Sequence, residues 1–115
     1  MNKKYLYRKQ ACGFSANLEM FIEAVVSKEF DVEFKIDLDE SSKQAIYKGI
    51  KLVLKRSELT PHKFVVTELI EHQKNTPPLG FEMCAQGASR LALGLSKVNA
   101  SYPWGNSVKE RGVEE

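Results

Sequence analysis

The chain has 115 residues, of which 43% are hydrophobic and 28% charged, close to the usage of an ordinary soluble globular protein. This length allows one hydrophobic core, and the 17 basic against 15 acidic residues are too balanced to indicate nucleic-acid binding by charge alone. No apolar run reaches the ~18 residues of a membrane span, and the first ten residues lack a signal peptide's apolar core, so we expect a cytoplasmic protein without membrane contact.

Three segments near the N-terminus have the pattern of β-strands. The first is KYLYRK. In SANLEMFIEAVV every second residue from 18 to 24 is apolar, which predicts a strand with one buried face and one exposed face. DVEFKIDL alternates in the same way. The short connection SKEF predicts that these last two strands form an antiparallel hairpin.

A helix is predicted next, over residues 42 to 55. In SSKQAIYKGIKLVLKR the apolar residues change to the 3.6-residue period of a helix. Ser41 and Gln44 have the spacing of a capping box, in which each side chain binds a free backbone N–H of the first turn. Pro61 follows and cannot extend the helix.

A strand and a second helix complete the predicted elements. KFVVTELIEH is rich in β-branched and aromatic residues and predicts a strand covered on both sides. Thr76 as N-cap and Pro77 as first helical residue predict a helix that runs to about Lys97. Cys84 lies on its apolar stripe, where we expect a buried, reduced thiol.

These elements predict an α+β fold, a mixed four-stranded sheet with two helices on one face. No internal repeat or linker divides the chain. We expect a single domain over residues 1–100 and a flexible C-terminal tail over residues 101–115, where the sequence has little periodicity.

No catalytic or cofactor-binding motif is present. The glycine-rich phosphate-binding loops are missing. Ser41, Ser42 or Cys12 could act as a nucleophile with His62 or His72 as the base, but none of them lies in a nucleophile-elbow motif. Two separated cysteines and two histidines do not form a metal-ligand set of usual spacing. We therefore expect no enzymatic activity, no cofactor and no metal.

Two groups of basic residues and one polar segment are candidates for ligand contact. The basic groups are Lys3, Lys4, Arg8 and Lys9, and Lys48, Lys51, Lys55 and Arg56. They indicate either phosphate contacts or solvated faces, and the second is favoured for the three helical lysines, which lie opposite the apolar side. The segment HQKN, residues 72 to 75, is either an exposed loop or a contact tip whose imidazole stacks on a base.

Three segments together resemble domain IV of elongation factor G over residues 4 to about 97. They are KYLYRKQACGFSANL, LDESSKQAIYKGI and HQKNTPPLGFEMCAQGASRLAL, in this order. The likeness is closest to the equivalent domain of the tetracycline-resistance ribosomal protection proteins. The matching residues are Lys9, Gln10, Phe14, Ala16, Glu23, Leu38, Ser41, Ala45, Gly49, Ile50, His72, Thr76, Pro77, Phe81, Met83 and Ala85. Only Gly13 remains of the family's glycine-rich first loop, and the family's GTPase domain has no counterpart in these 115 residues.

The resemblance implies a fold like the second domain of ribosomal protein S5, with two tip loops that contact RNA in the small ribosomal subunit. It assigns RNA contact to Lys9, Gln10, Cys12, Gly13, His72, Gln73, Lys74 and Asn75. The expected function is a non-enzymatic, free-standing, translation-factor-like module that binds the ribosome or RNA.

The alternative is a protein-interaction or regulatory module, or a relic, that kept the fold and lost RNA binding. Its partner would be a protein that contacts apolar surface around Phe21, Tyr102 or Trp104. A small enzyme on the same fold is the third interpretation, and it would require a pocket with convergent polar groups.

Overall fold

The computed structural model describes residues 4–11, 14–72, 75–95 and 108–111, and the side chains of residues 16–72 and 75–95. The elements in chain order are β1 (Lys4–Ala11), β2 (Phe14–Val26), β3 (Asp31–Phe34), α1 (Glu40–Ser57), β4 (His62–Glu71), α2 (Pro78–Ala92) and β5 (Val108–Arg111).

The strands form one mixed sheet in the order β3-β4-β2-β1-β5. Neighbouring strands are antiparallel except β3 and β4, which are parallel. The predicted α+β class with two helices and a mixed sheet is confirmed. The predicted number of four strands is not, because β5 pairs with β1 inside the segment predicted to be a flexible tail. The four residues VKER are too short to show strand alternation, and the flexibility of the tail otherwise stays a prediction.

The predicted hairpin between β2 and β3 is wrong, because β3 pairs with β4. Both edges of β2 are already occupied, one by β1 and the other by β4. The segment from β3 through the 18-residue helix α1 to β4 is a strand–helix–strand unit, the usual connection between parallel neighbours. β3 also ends at Phe34, although Ile36 and Leu38 beyond it still pack against the core.

The hydrophobic core lies between one face of the sheet and the two helices. The alternating residues Leu18, Met20 and Ile22 of β2 are at most 4% exposed, as their spacing predicts. Each helix contributes a buried stripe to the same core. Its other members include Phe64 and Val66 of β4, Ile46, Ile50 and Leu54 of α1, and Phe81, Cys84, Ala88 and Leu91 of α2.

The helix boundaries differ from the predicted ones. α1 begins one residue before Ser41, and its N-cap Asp39 makes no side-chain capping bond, so the predicted capping box is wrong. In α2 the N-cap is Pro77 and not Thr76. α2 ends at Ala92 because Gly94 has a φ of 75°, a left-handed conformation that glycine adopts at low cost.

The two helices touch at Gly49 of α1. A Cβ atom at this position would lie 2.4 Å from the carbonyl oxygen of Glu82 and 3.2 Å from Cβ of Ala85. Glycine is therefore needed here because the backbones of α1 and α2 approach closely.

The opposite face of the sheet is not covered by either helix. Phe21, Val65 and Ile70 are half-buried on it. An ion pair with 2.9 Å between Lys63 Nζ and Glu33 Oε1 connects β4 to the edge strand on this side. None of the helices in the described part of the chain has the length and apolar character needed to cross a membrane.

Cys84 is fully buried in α2, as predicted, and Cys12 lies outside the described residues. Burial raises the pKa of the Cys84 thiol far above its ordinary range, and the charge of Glu19 acts in the same direction. Since the thiolate is the reactive form, a Cys12→Ser variant should not react with Ellman's reagent at about pH 8 while folded. It should release one equivalent of chromophore after unfolding in guanidinium. Fast labelling of the folded variant would contradict the buried position.

Candidate functional site

One end of the sheet, here called the tip, brings together two connections that are distant in sequence. One joins β1 to β2 after the last residue pair, Ala11 and Phe14. The other leaves β4 after the pair of Glu71 with Leu18. The backbone N–H of His72 donates to the carbonyl oxygen of Asn17, with an N–O distance of 2.9 Å. The second connection therefore starts beside β2, three residues from its first residue.

The side chain of His72 is held by a carboxylate from β2. Its Nε2 lies 2.7 Å from Oε2 of Glu19, and the two side chains are 39% and 22% exposed. When the imidazole is protonated, this contact is a salt bridge across two strands. One edge of the imidazole is thereby occupied, while the exposed part of the ring remains accessible from solvent.

The side chain of Glu71 forms a hydrogen bond within the β4–α2 connection. Its Oε2 accepts a hydrogen bond from the backbone N–H of Thr76, with an N–O distance of 3.2 Å. Between them, the exposed Asn75 has a φ of 62°, in the left-handed region that asparagine tolerates better than most residues. A side chain at the end of β4 is thus bonded to the backbone two residues before the start of α2.

The structure places four of the eight predicted contact residues. Lys9 and Gln10 lie on β1 opposite Ala16 and Ser15. His72 and Asn75 lie in the second connection. Cys12, Gly13, Gln73 and Lys74 lie outside the described residues. All four described positions belong to the tip, and their contact with RNA stays a prediction.

Sequence reasoning missed the two acids that hold the tip, Glu19 and Glu71. Glu19 was assigned only to the exposed face of its strand, and Glu71 was given no role in a strand predicted to be covered on both sides. Glu19 reaches His72 because β2 and β4 are adjacent and antiparallel, with Glu19 paired to Ile70. The register of two strands separated by more than thirty residues is not visible in a single sequence.

The opposite end of the sheet, here called the base, has a different chemistry. Val25 and Val26 at the end of β2 are 59% and 70% exposed. Beside them an open groove lies between the end of α1 and the start of β4, lined by Phe30, Lys51, Leu54, Lys55, Glu58, Leu59 and Pro61. The base thus presents exposed apolar side chains next to a groove whose lining also includes charged residues.

No cluster of three or more potential metal-binding side chains occurs among the residues that the structure describes. The expectations that the protein has no metal, no cofactor and no enzymatic activity stay predictions.

Comparison with known proteins gives structural relatives but no family. No protein-family model and no curated protein matches the chain. The chain is similar to the crystal structure of ttk003000868 from Thermus thermophilus, with a TM-score of 0.67 and 22% sequence identity. The match covers 78% of this chain and 15% of the other, so the chain corresponds to a small part of a longer protein. This likeness shows a shared fold.

Proposed function

We propose that the protein is a non-enzymatic RNA-binding module, similar to domain IV of elongation factor G, that contacts the small ribosomal subunit through its tip. The observation that carries the proposal is that the two tip connections start at the same end of the sheet. The resemblance to domain IV of elongation factor G assigns residues of both connections to RNA contact, although about sixty positions separate them in the sequence. A fold like the second domain of ribosomal protein S5 and a cytoplasmic location belong to the same proposal.

The chemistry of the tip residues suits contact with RNA. The second connection combines an imidazole, two amides and an ammonium group in the four residues HQKN. Imidazole rings stack on unpaired bases, while amide and ammonium groups donate to phosphate and ribose oxygens. Because Glu19 holds the His72 ring and Glu71 holds the connection, less conformational entropy is lost when RNA binds.

The direct test compares two double variants in co-sedimentation with isolated small subunits. His72→Ala with Lys74→Ala alters the tip. His62→Ala with Lys28→Ala removes the same two residue types at the base, about 30 Å away along β4. The tip variant should have a dissociation constant at least about tenfold higher than wild type, equivalent to ~1.4 kcal/mol, and the base variant should pellet like wild type. Equal pelleting of all three would contradict the proposal.

A protein-interaction module is the second candidate, and the exposed apolar residues of the base favour it. The surface first expected to carry this function stays a prediction, since Phe21 is half-buried on the face that neither helix covers and Tyr102 and Trp104 lie outside the described residues. A complex formed by Val25, Val26 and Leu59 would bury apolar surface and would tolerate salt. Binding that persists from about 50 to 200 mM salt and is lost on Val26→Asp would support this candidate over RNA binding.

A further inference from the structure

The exposed side of α1 carries basic residues that the tip does not use. Helix α1 has five basic residues and one acidic residue, Glu40 in its first turn. Lys48, Lys51 and Lys55 are exposed, as is Tyr47 at 40%. These four residues, here called the lysine face, lie on the side of α1 turned away from the buried Ile46, Ile50 and Val53.

One acidic residue, Glu58, lines the groove beside Lys51 and Lys55. Within residues 16–72 and 75–95, none of its three lysines forms an ion pair with a described carboxylate. Lys51 instead lies with its Nζ 5.8 Å from the centroid of the Tyr47 ring. If this side of α1 were only a surface in contact with water, the exposed lysines would be explained. The exposed Tyr47 ring among them would not be explained.

The aromatic ring of the lysine face is held in position from below. Tyr47 packs on Phe30, with ring centroids 5.3 Å apart, and Phe30 in turn packs on the fully buried Phe64, at 6.1 Å. The exposed ring is thus anchored to the core through two aromatic contacts. A fixed aromatic ring with ammonium groups around it is the arrangement that binds single-stranded nucleic acid, by base stacking and phosphate contact.

The spacing of the three lysines along the helix matches the length of a short single-stranded nucleic acid. From Lys48 to Lys55 the helix rises about 10 Å, roughly the length of three stacked nucleotides. An acidic protein segment would match the charge of the lysine face but would have no need of the Tyr47 ring. The combination of charge and ring therefore favours a nucleic acid.

We propose that the lysine face is a second RNA-binding surface, on which Lys48, Lys51 and Lys55 contact the phosphates of a single strand and Tyr47 stacks on one of its bases. This surface is separate from the tip. The choice of RNA over DNA rests on the proposed function.

The test measures the affinity for a fluorescently labelled oligouridine by anisotropy at several salt concentrations. In the face variant, Lys48, Lys51 and Lys55 are replaced by Gln. In the matched control, Lys28, Lys35 and Lys63 are replaced by Gln, so that both variants have the same net charge. The face variant should bind at least about tenfold more weakly, and the slope of log K against log salt should fall by about 2, because three phosphate contacts are lost at ~0.7 each. The control should retain most of the wild-type affinity.

The Tyr47 ring is tested separately. Tyr47→Leu should weaken oligouridine binding by about fivefold or more through lost stacking, whereas Tyr47→Phe should bind like wild type. Circular dichroism should first show that all variants are folded.

Several outcomes would overturn the inference. Three of them concern oligouridine: equal losses in the face variant and the control, an unchanged affinity in the face variant, and no binding by the wild-type protein. The fourth uses poly-glutamate as a probe for an acidic protein segment: a face variant that loses binding to poly-glutamate but keeps its affinity for oligouridine. Failure of the proposed tip function is recognised differently. In that case the His72→Ala and Lys74→Ala variant pellets with subunits like wild type, while the face variant still loses oligouridine binding.

Discussion

Replacing Gly49 by alanine is expected to lower the free energy of unfolding by about 1–3 kcal/mol. On an exposed helix the same change would raise stability by up to about 1 kcal/mol, since alanine is the better helix former. Here the added Cβ would lie 2.4 Å from the carbonyl oxygen of Glu82, so that α1 and α2 must move apart. Urea unfolding of the variant and the wild type measures the sign directly.

Two further variants identify the cause of this loss. Lys48→Ala, on the exposed side of the same helix, should change stability by less than about 0.5 kcal/mol. Adding Ala85→Gly to Gly49→Ala should not restore stability, because the closest atom to the new Cβ belongs to the backbone of Glu82. A Gly49→Ala protein more stable than wild type would show that the helices do not pack as described.

Replacing Phe64 by alanine should cost about 3–5 kcal/mol, the largest effect expected for a single residue here. Its side chain is 0% exposed. It is paired with Ala24 of β2 on one side and with Val32 of β3 on the other, so its removal opens a cavity where three strands meet. A loss of this size is a large part of the ~5–15 kcal/mol that stabilises a typical domain.

The adjacent residue provides the control for Phe64. Val65→Ala removes a half-buried side chain from the face of the same strand that neither helix covers, and should cost roughly 1 kcal/mol. Guanidinium unfolding midpoints of the two variants should therefore be well separated. Similar midpoints would mean that Phe64 and Val65 are buried to a similar extent, which would contradict the structure.

The sequence patterns predicted which face of each helix or strand is buried, but they did not predict which strands lie side by side in the sheet. The alternation from Leu18 to Ala24 assigned the buried side of β2, and the change of period after residue 40 located α1. Neither pattern contains information on which strand lies beside which. The short connection between β2 and β3 favoured a hairpin, whereas the helix between β3 and β4 determined a parallel pair.

The candidate site was predictable only in part, for a similar reason. Local residue chemistry selected His72 and Asn75, and the resemblance to domain IV of elongation factor G grouped them with Lys9 and Gln10. The hydrogen bonds that hold the tip depend on strand register, which puts Glu19 next to His72 although 53 positions separate them. The ring contacts behind Tyr47 also required the fold, because Phe30 and Phe64 belong to different elements.

The most direct test of RNA binding through the tip is co-sedimentation of the wild-type protein with isolated ribosomal subunits at about 50 and 200 mM salt. Phosphate contacts release counter-ions, so binding to RNA weakens steeply as salt rises. We predict that the protein pellets with the small subunit at the lower salt concentration, that pelleting falls sharply at the higher one, and that His72→Ala with Lys74→Ala weakens binding at least about tenfold. Absence of pelleting at both concentrations, or pelleting that neither salt nor the tip variant reduces, would contradict RNA binding through the tip.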